Sequence, residues 1–251
     1  MPGMFTLRTR FAKDIVAEFL PPMRPVKRQR VVILCDGMPS VLSKRPILDF
    51  FARKGYWVFH PRYRGTWESG GMLFSGSPDR DLIDVIAGLS RPFYESFGGR
   101  KFRLNPKSIT LVASSFGGAA AILASRDKRV TRVIAASPVV DWTAKSKAED
   151  LGFLEKFVAD AFGMGYRIPR GAWKKLKSGK FFNPVNHTEE IDGSKLLIIH
   201  AKDDDVVAWR PVARFAKAIG ANLRLISRGG HLGLGTFTLP KFYKTVSKFL
   251  K

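Results

Sequence analysis

Residues 113–118 are Ala-Ser-Ser-Phe-Gly-Gly, ASSFGG. They end an apolar run typical of a buried strand, 108–113, and begin a run of small residues typical of a helix, 117–125. A strand-to-helix turn with small residues two positions before and after a serine is the signature of a nucleophile elbow. Ser115 has an alanine and a glycine at those two positions. A glycine-rich turn that only packs is the alternative.

An elbow of this kind has direct chemical consequences. The tight turn projects the Ser115 hydroxyl above the edge of the sheet. It also aims the backbone N–H of Phe116 at a developing oxyanion, at the start of a helix whose dipole favours negative charge. The sequence therefore predicts a nucleophile at Ser115 and an oxyanion donor at Phe116.

The rest of the chain alternates short apolar runs with helical patterns. Strands are predicted at 31–35, 56–60, 108–113, 130–136, 195–200 and 223–226, and helices at 47–54, 79–89, 117–125, 210–219 and 239–250. This alternation predicts right-handed βαβ units, and hence an α/β fold with a mostly parallel central sheet flanked by helices. The length of 251 residues fits a single domain, 1–251.

Two regions break the alternation. In the N-terminal region, 1–30, residues 14–19 (DIVAEF) alternate apolar and polar side chains like an exposed antiparallel strand. The segment 142–190 has no strand signal. It begins with a helical pattern at 151–162 and continues with several glycines and prolines. An insertion of this size between core strands predicts a small lid.

A catalytic serine needs a base, and the chain has four histidines. His60 and His200 end predicted strands, so we expect both in or near the core, and His187 falls in the predicted lid. His231 lies in the glycine-rich stretch GGHLG, just after the last predicted strand. Catalytic residues of parallel sheets gather at that edge, so His231 is the predicted base. The alternative is a loop histidine that caps the next helix.

The orienting acid is expected among three consecutive aspartates, 203–205, directly after the strand at 195–200. At most one of them can complete a triad, and the other two are expected to be solvated turn residues. The order serine, aspartate, histidine is that of α/β-hydrolases and differs from the orders in the two unrelated serine protease folds.

Over about residues 31–250 the chain resembles the prolyl-oligopeptidase-like group of α/β-hydrolases, which includes many small esterases. Residues 196–208, LLIIHAKDDDVVA, resemble the group's apolar strand followed by His-Gly-x-x-Asp-x-x-Val-Pro. The resemblance places the triad acid on Asp204, with Ala201 in place of glycine and Ala208 in place of proline. Arg64-Gly65 followed by Ser-Gly-Gly at 69–71 resembles the loop after the group's fourth strand.

Residues 35–38, CDGM, stand where this group has His-Gly-x. The resemblance implies that the backbone N–H of Met38 is the second oxyanion donor. Asp36 departs from the family pattern because it replaces the histidine. This leaves the backbone role open to Met38 but predicts a different shape for the loop.

The resemblance implies a serine hydrolase with a Ser115–His231–Asp204 triad, an acyl-enzyme intermediate, and no metal or organic cofactor. The substrate is expected to be a small-molecule ester or short peptide. A carboxylesterase acting on small or aromatic-acyl esters is the first hypothesis. An aminopeptidase or acyl-peptide hydrolase is the alternative, although the large members of that group carry a β-propeller for which this chain has no room.

The net charge of +22, from 43 Lys and Arg against 21 Asp and Glu, is unusual. It raises a third hypothesis, a catalytically inactive basic scaffold that binds nucleic acid, although no RNP, KH or helix-turn-helix signature is present. Between Gly163 and Asn183 the chain has six basic residues and no acid. If this stretch borders the site it would attract anionic substrates, and otherwise it faces bulk solvent.

Cysteine content and hydropathy bear on the compartment. The lone cysteine, Cys35, excludes an intramolecular disulfide, and its place at the end of an apolar strand predicts a buried, inert thiol. No window approaches the roughly 18 consecutive apolar residues of a membrane span. Residues 1–10 lack the pattern of a signal peptide, so we expect a cytoplasmic protein.

Overall fold

The computed structural model describes residues 5–148 and 150–250, so parts of the predicted regions 1–30 and 142–190 (residues 1–4 and 149) lie outside the description, as does residue 251. The strands are β1 (Leu7–Phe11), β2 (Ile15–Leu20), β3 (Arg30–Cys35), β4 (Trp57–Pro61), β5 (Phe93–Tyr94), β6 (Lys101–Phe102), β7 (Ser108–Ser114), β8 (Arg132–Ala136), β9 (Leu196–Ala201) and β10 (Asn222–Ile226). The helices are α1 (Arg45–Arg53), α2 (Asp79–Leu89), α3 (Phe116–Ala124), α4 (Leu151–Phe162), α5 (Ala172–Lys177), α6 (Trp209–Ile219) and α7 (Pro240–Phe249).

Eight strands form one sheet in the order β1-β2-β4-β3-β7-β8-β9-β10, and β5 pairs with β6 separately. All neighbours from β4 to β10 are parallel. The pairs β1–β2 and β2–β4 are antiparallel. The predicted fold, a mostly parallel sheet flanked by helices, is confirmed, and each predicted core strand and helix is found within two residues of its expected ends.

The central strands are apolar throughout because helices cover both faces of the sheet. In β3, Val31, Ile33 and Cys35 belong to the apolar layer that includes α2, α3 and α6. Val32 and Leu34 point the opposite way, into the layer that includes α1 and α7. All five side chains are fully buried. Two-sided burial therefore explains why this segment is a continuous apolar run.

The strand order reverses beside β3. The chain passes from β3 to β4 on one side and later returns to β7 on the other side. In open parallel sheets, ligands bind in the crevice outside the carboxyl ends of the strands where the order reverses. The loop after β3 and the turn after β7 are thus placed at the edge where a site is expected.

The N-terminal prediction is wrong in one respect. The strand at 14–19 does pair antiparallel, as β2, but it is buried because β1 and β4 flank it. Phe19 is fully buried and its ring centroid lies 5.4 Å from that of Phe59. Strand β1 itself was not predicted, because its alternation of charged and apolar side chains is short.

The segment 142–190 contains α4 and α5 and is tied to the body of the molecule by polar contacts. The backbone N–H of Ser40 donates to the Tyr166 hydroxyl at 2.9 Å, and Tyr166 also forms an isolated β-bridge with Thr66. Helix α4 buries Val158 and leaves much of its surface exposed. In the described part of the chain, no helix combines the length and apolar character needed to cross a membrane.

Candidate active site

The turn between β7 and α3 holds Ser115 in a strained conformation. Its φ of 52° and ψ of −123° lie in a region that non-glycine residues rarely occupy. Three backbone hydrogen bonds hold the residue there. Its N–H donates to the Ala136 carbonyl at 3.1 Å, and its carbonyl accepts from Gly118 at 2.9 Å and Val139 at 3.1 Å. This is the backbone geometry expected of a nucleophile elbow.

The small residue two positions after Ser115 is required by a close approach of backbone. A Cβ on Gly117 would lie 2.1 Å from the carbonyl oxygen of Cys35 and 2.4 Å from that of Asp36. Real Cβ atoms do not come so near to backbone oxygens. The absent side chain therefore lets the end of β3 lie directly against the elbow.

Gly117→Ala is expected to destabilise the protein by about 3 kcal/mol, because rigid backbone must move to admit the methyl group. Gly235→Ala is the matched control, since no atom of the described residues lies within 4 Å of its Cβ position. We expect that variant to change the free energy of unfolding by less than about 0.5 kcal/mol. Urea denaturation of both variants tests this, and equal midpoints would show that the elbow is not closely packed.

Asp204 and His231 form a direct pair. Asp204 follows β9 and His231 follows β10, at the carboxyl ends of adjacent strands. The His231 Nδ1 lies 3.1 Å and 3.0 Å from the two carboxylate oxygens of Asp204. The side chain of Asp204 is fully buried, whereas that of His231 is 26% exposed. With Nδ1–H donating to the carboxylate, Nε2 of His231 is left as the basic nitrogen.

Several donors fix the Asp204 carboxylate. Its Oδ1 accepts from the backbone N–H groups of Val206 and Val207 at 3.1 Å and 2.9 Å. Burial acts to raise the pKa of Asp204. The hydrogen bonds from His231, from the Ser137 hydroxyl and from the Val207 N–H outweigh it and hold the pKa below its ordinary value. Asp204 is therefore a carboxylate at neutral pH.

Ser137 belongs to this arrangement and was not predicted. It follows β8 with a positive φ of 43° and is fully buried. Its hydroxyl donates to Asp204 and accepts the backbone N–H of Leu232 at 3.1 Å. Ser137 thus joins the acid to the loop that carries His231. Its position at the carboxyl end of a buried strand was the available signal.

Asp203 is exposed in a turn, as expected, but its carboxylate also has a structural role. The Asp203 carboxylate accepts the backbone N–H groups of Gly229 and Gly230, each at 2.9 Å to Oδ1. It therefore holds the loop that carries His231, although its side chain remains exposed. For Asp205 the expectation fits, since its side chain is exposed.

Ser115 and His231 lie at the same edge of the sheet but are not hydrogen-bonded to each other. Within residues 5–148 and 150–250, the hydroxyl of Ser115 makes no hydrogen bond, and neither does Nε2 of His231. Both polar atoms are therefore free for a substrate or for each other. In free enzymes the contact between nucleophile and base is often longer than a hydrogen bond.

The loop at 36–38 lies against the elbow. A Cβ on Gly37 would be 3.4 Å from the Cβ of Ser115. Among the described residues, the backbone N–H groups of Met38 and Phe116 have no acceptor. Two unpaired donors thus lie on the two segments that meet at the serine, at the two positions named from the sequence.

A cavity of about 570 Å³ begins at Ser115. Its walls come from the loop after β8, the first turns of α4 and the first turn of α6. Most lining side chains are apolar: Met38, Phe116, Val139, Val140, Trp142, Leu151, Leu154, Val206, Val207, Pro211 and Val212. The volume is in the usual range for small-molecule sites.

Other candidate residues from the sequence have structural contacts. Of the six basic residues between Gly163 and Asn183, Lys177 lines the cavity, and it also lies 3.4 Å from the carboxylate of Glu155. Arg64 pairs with three aspartates at 2.9, 2.5 and 2.8 Å. Cys35 is fully buried, and burial raises the pKa of its thiol.

The four histidines are separated as predicted. His60 and His200 are buried, and His187 lies near the surface beside Glu190. His200 Nε2 donates to the Val207 carbonyl at 2.9 Å and lies behind Asp204, 3.4 Å from its Oδ2. In the described residues, no three His, Cys, Asp or Glu side chains converge to hold a metal ion.

The sequence model of the alpha/beta hydrolase family matches residues 37–238. The chain belongs to this family. The match covers both the elbow and the His231 loop. It confirms the resemblance drawn from the sequence motifs. No curated protein sequence is significantly similar to this alpha/beta hydrolase.

Solved structures share the fold of this alpha/beta hydrolase at low sequence identity. The esterase Pf2001 of Pyrococcus furiosus is 20% identical with a TM-score of 0.69, and the alignment covers 98% of this chain and 90% of that one. The acylaminoacyl peptidase of Pyrococcus horikoshii is 15% identical with a TM-score of 0.67, over 98% of this chain and 41% of that one. DcsB, solved with a substrate analogue, is 14% identical with a TM-score of 0.70, over 99% and 97%.

Proposed function

We propose that this alpha/beta hydrolase is a serine hydrolase in which Ser115 is the nucleophile, His231 the general base and Asp204 the orienting acid. The observation that carries the proposal is the hydrogen-bonded Asp204–His231 pair at the sheet edge where a strained serine follows β7. Each of the three residues follows the carboxyl end of a different strand, in the chain order of alpha/beta hydrolase triads.

The proposed reaction begins at His231. Its Nε2 takes the proton of the Ser115 hydroxyl while the oxygen attacks the acyl carbonyl carbon. The tetrahedral intermediate then collapses, the leaving alcohol takes the proton from His231, and the acyl group stays on Ser115. Water next attacks the acyl-enzyme with His231 again as base. The second tetrahedral intermediate then collapses, Ser115 takes the proton back from His231, and the carboxylic acid leaves. Asp204 stabilises the imidazolium in both halves.

We assign the oxyanion to the backbone N–H groups of Phe116 and Met38. Support comes from the lack of a protein acceptor for either group in the described residues and from the closeness of Gly37 to Ser115. Phe116 is also the first residue of α3, where the helix dipole adds positive potential. By analogy with removed oxyanion donors, each is worth about 3 kcal/mol in the transition state.

The substrate is proposed to be an ester with a small or aromatic acyl group. The cavity that begins at Ser115 is lined mainly by apolar side chains, and Trp142 contributes an aromatic ring to its wall. An acyl group in this cavity would be desolvated while its carbonyl remained at the two free N–H groups. A carboxylesterase would bind the acyl group of its substrate in such a cavity.

Leu154→Trp is expected to lower kcat/KM for the p-nitrophenyl ester of an aryl-substituted acid at least tenfold, and for the acetate ester by less than about threefold. Leu154 lines the cavity, and the larger tryptophan ring would fill the space that the aryl group needs. In an apolar pocket, a mismatch of one methylene group already changes kcat/KM by a factor of about ten or more. Phe153→Trp is the matched control, because Phe153 is 53% exposed on the same helix. Equal losses for the two esters would mean that this cavity does not hold the acyl group.

A peptidase acting on acylated peptides is the second candidate, favoured by the similarity of fold to an acylaminoacyl peptidase. This chain spans less than half of that protein but 90% of the esterase Pf2001. Assay of p-nitrophenyl esters beside aminoacyl and acyl-aminoacyl p-nitroanilides separates the two. Turnover of esters alone supports the esterase, and kcat/KM for an anilide equal to that for the ester would replace it with the peptidase.

A further inference from the structure

A buried carboxylate lies within the loop at 36–38, beside the proposed oxyanion site. Asp36 is 8% exposed. Its Oδ1 accepts the backbone N–H of Gly37 at 3.0 Å, and its Oδ2 lies 2.8 Å from Nζ of Lys44. Lys44 also donates to the Val41 carbonyl at 2.9 Å, so the ammonium is held in place from two sides.

We propose that Lys44 is a positioning residue that neutralises Asp36 and thereby lets the carboxylate fix loop 36–38 without opposing the oxyanion at Met38. The inference rests on the proposed function and extends it to a pair that the reaction scheme does not otherwise use. Without Lys44, the carboxylate of Asp36 would have two opposite effects on the site. Its hydrogen bond orders the loop, but a bare negative charge two residues from an oxyanion donor would repel the charge that develops there.

In these surroundings Lys44 supplies the positive charge beside Asp36, and His60 supplies a hydrogen bond. Like charges repel strongly in a partly desolvated site, where the effective dielectric constant is far below that of water. His60 Nε2 also faces Asp36, at 3.6 Å. Arg62 donates to His60 Nδ1 at 3.0 Å, and this leaves the ring proton on Nε2 in the neutral ring. Burial, the main cause, lowers the pKa of His60, so the ring contributes a dipole and no charge.

Among residues 5–148 and 150–250, the other titratable groups around Asp36 do not supply a free cation. Burial raises the pKa values of the thiol of Cys35 and the phenols of Tyr63 and Tyr166, which are neutral. Arg62 turns its guanidinium towards Glu18 and Glu68, at 3.3 Å and 3.4 Å.

The charge state of Asp36 follows from this balance. Burial acts to raise the pKa of Asp36, but His60 and Lys44 outweigh it and hold the pKa below its ordinary value. Removal of Lys44 therefore raises this pKa. Below the raised pKa, Asp36 is protonated and neutral. Above it, the carboxylate is charged and uncompensated.

The test is the pH dependence of kcat and KM for p-nitrophenyl acetate in Lys44→Met, Asp36→Asn with Lys44→Met, and Lys44→Arg. We expect Lys44→Met to lower kcat about tenfold at pH 8, less than loss of an oxyanion donor itself, with KM nearly unchanged. Its deficit should shrink as pH falls and Asp36 takes up a proton. Asparagine keeps the Oδ1 acceptor for Gly37, so the double variant should recover most of the lost kcat. Its pH profile of kcat should show no transition beyond those of the wild type. Lys44→Arg should resemble the wild type.

Lys156→Met is the matched control, since Lys156 pairs with Asp160 on the exposed surface of α4. It should leave kcat unchanged at every pH. If Lys44→Met is too unstable to assay, Lys44→Gln carries the same expectations. The inference is overturned if Lys44→Met has the wild-type pH profile, or if the added Asp36→Asn substitution does not restore the lost kcat. In either case the hydrolase proposal stands. A wild-type protein that hydrolyses no ester or anilide overturns both.

Discussion

Ser115→Ala is expected to lower kcat by about 10⁴-fold or more while the fold stays intact. The substitution removes the nucleophilic oxygen and adds no bulk to the turn. The backbone hydrogen bonds that hold the strained residue do not involve its side chain. Circular dichroism and urea denaturation should therefore match the wild type, and any loss of activity is chemical.

Ser114→Ala is the control for this experiment. Ser114 ends β7 and is not among the residues that line the cavity. We expect its kcat to stay within a few-fold of the wild type. A Ser115→Ala variant that retains a tenth of the activity would instead assign the nucleophile to Ser114 or Cys35.

Asp204→Asn is expected to lower kcat by about 10³- to 10⁴-fold, the second largest effect. The amide would present its NH₂ to His231 and favour the ring tautomer with the proton on Nε2, which cannot act as a base. The backbone N–H groups of Val206 and Val207 would compete for the amide oxygen, since both now bond to Oδ1. The fold should remain, and kcat measured near pH 8 reports the loss.

Neighbouring aspartates provide the comparison. Asp205→Asn should change kcat at most a few-fold, because this side chain is exposed. Asp203→Asn should also lose only a few-fold, since the asparagine oxygen still accepts from Gly229 and Gly230. Similar small losses in all three variants would show that Asp204 is not the triad acid.

Much of the fold could be predicted from the sequence because two-sided burial leaves a clear pattern. The continuous apolar run in β3 and the small residues of α3 each reflect contacts on every side. Strand β1 lacked such a pattern. In β1, Leu7–Phe11, two arginines alternate with uncharged residues. Strand pairing sets the partners of these arginines, such as Glu18 on β2 for Arg8.

The parts of the site that could be predicted are those with local signals: a serine in a tight turn, a histidine among glycines and an acid after a strand. For Ser137 the local signal was limited to its position after a strand, and Lys44 gave none. Ser137 meets Asp204 and the Leu232 N–H only because three strand ends are adjacent in space. The pairing of Lys44 with Asp36 depends on how the loop before α1 folds back. Such contacts form between residues that are distant in the sequence, so the spacing of residues along the chain does not reveal them.

Reaction with a fluorophosphonate probe, followed by peptide mass spectrometry, shows directly whether Ser115 is an activated nucleophile. We expect one covalent adduct per chain, on the peptide that carries Ser115, with loss of esterase activity at the same rate. Labelling should disappear in Ser115→Ala and fall sharply in Asp204→Asn. No adduct on the wild-type protein, or an adduct on another residue, would contradict the claim.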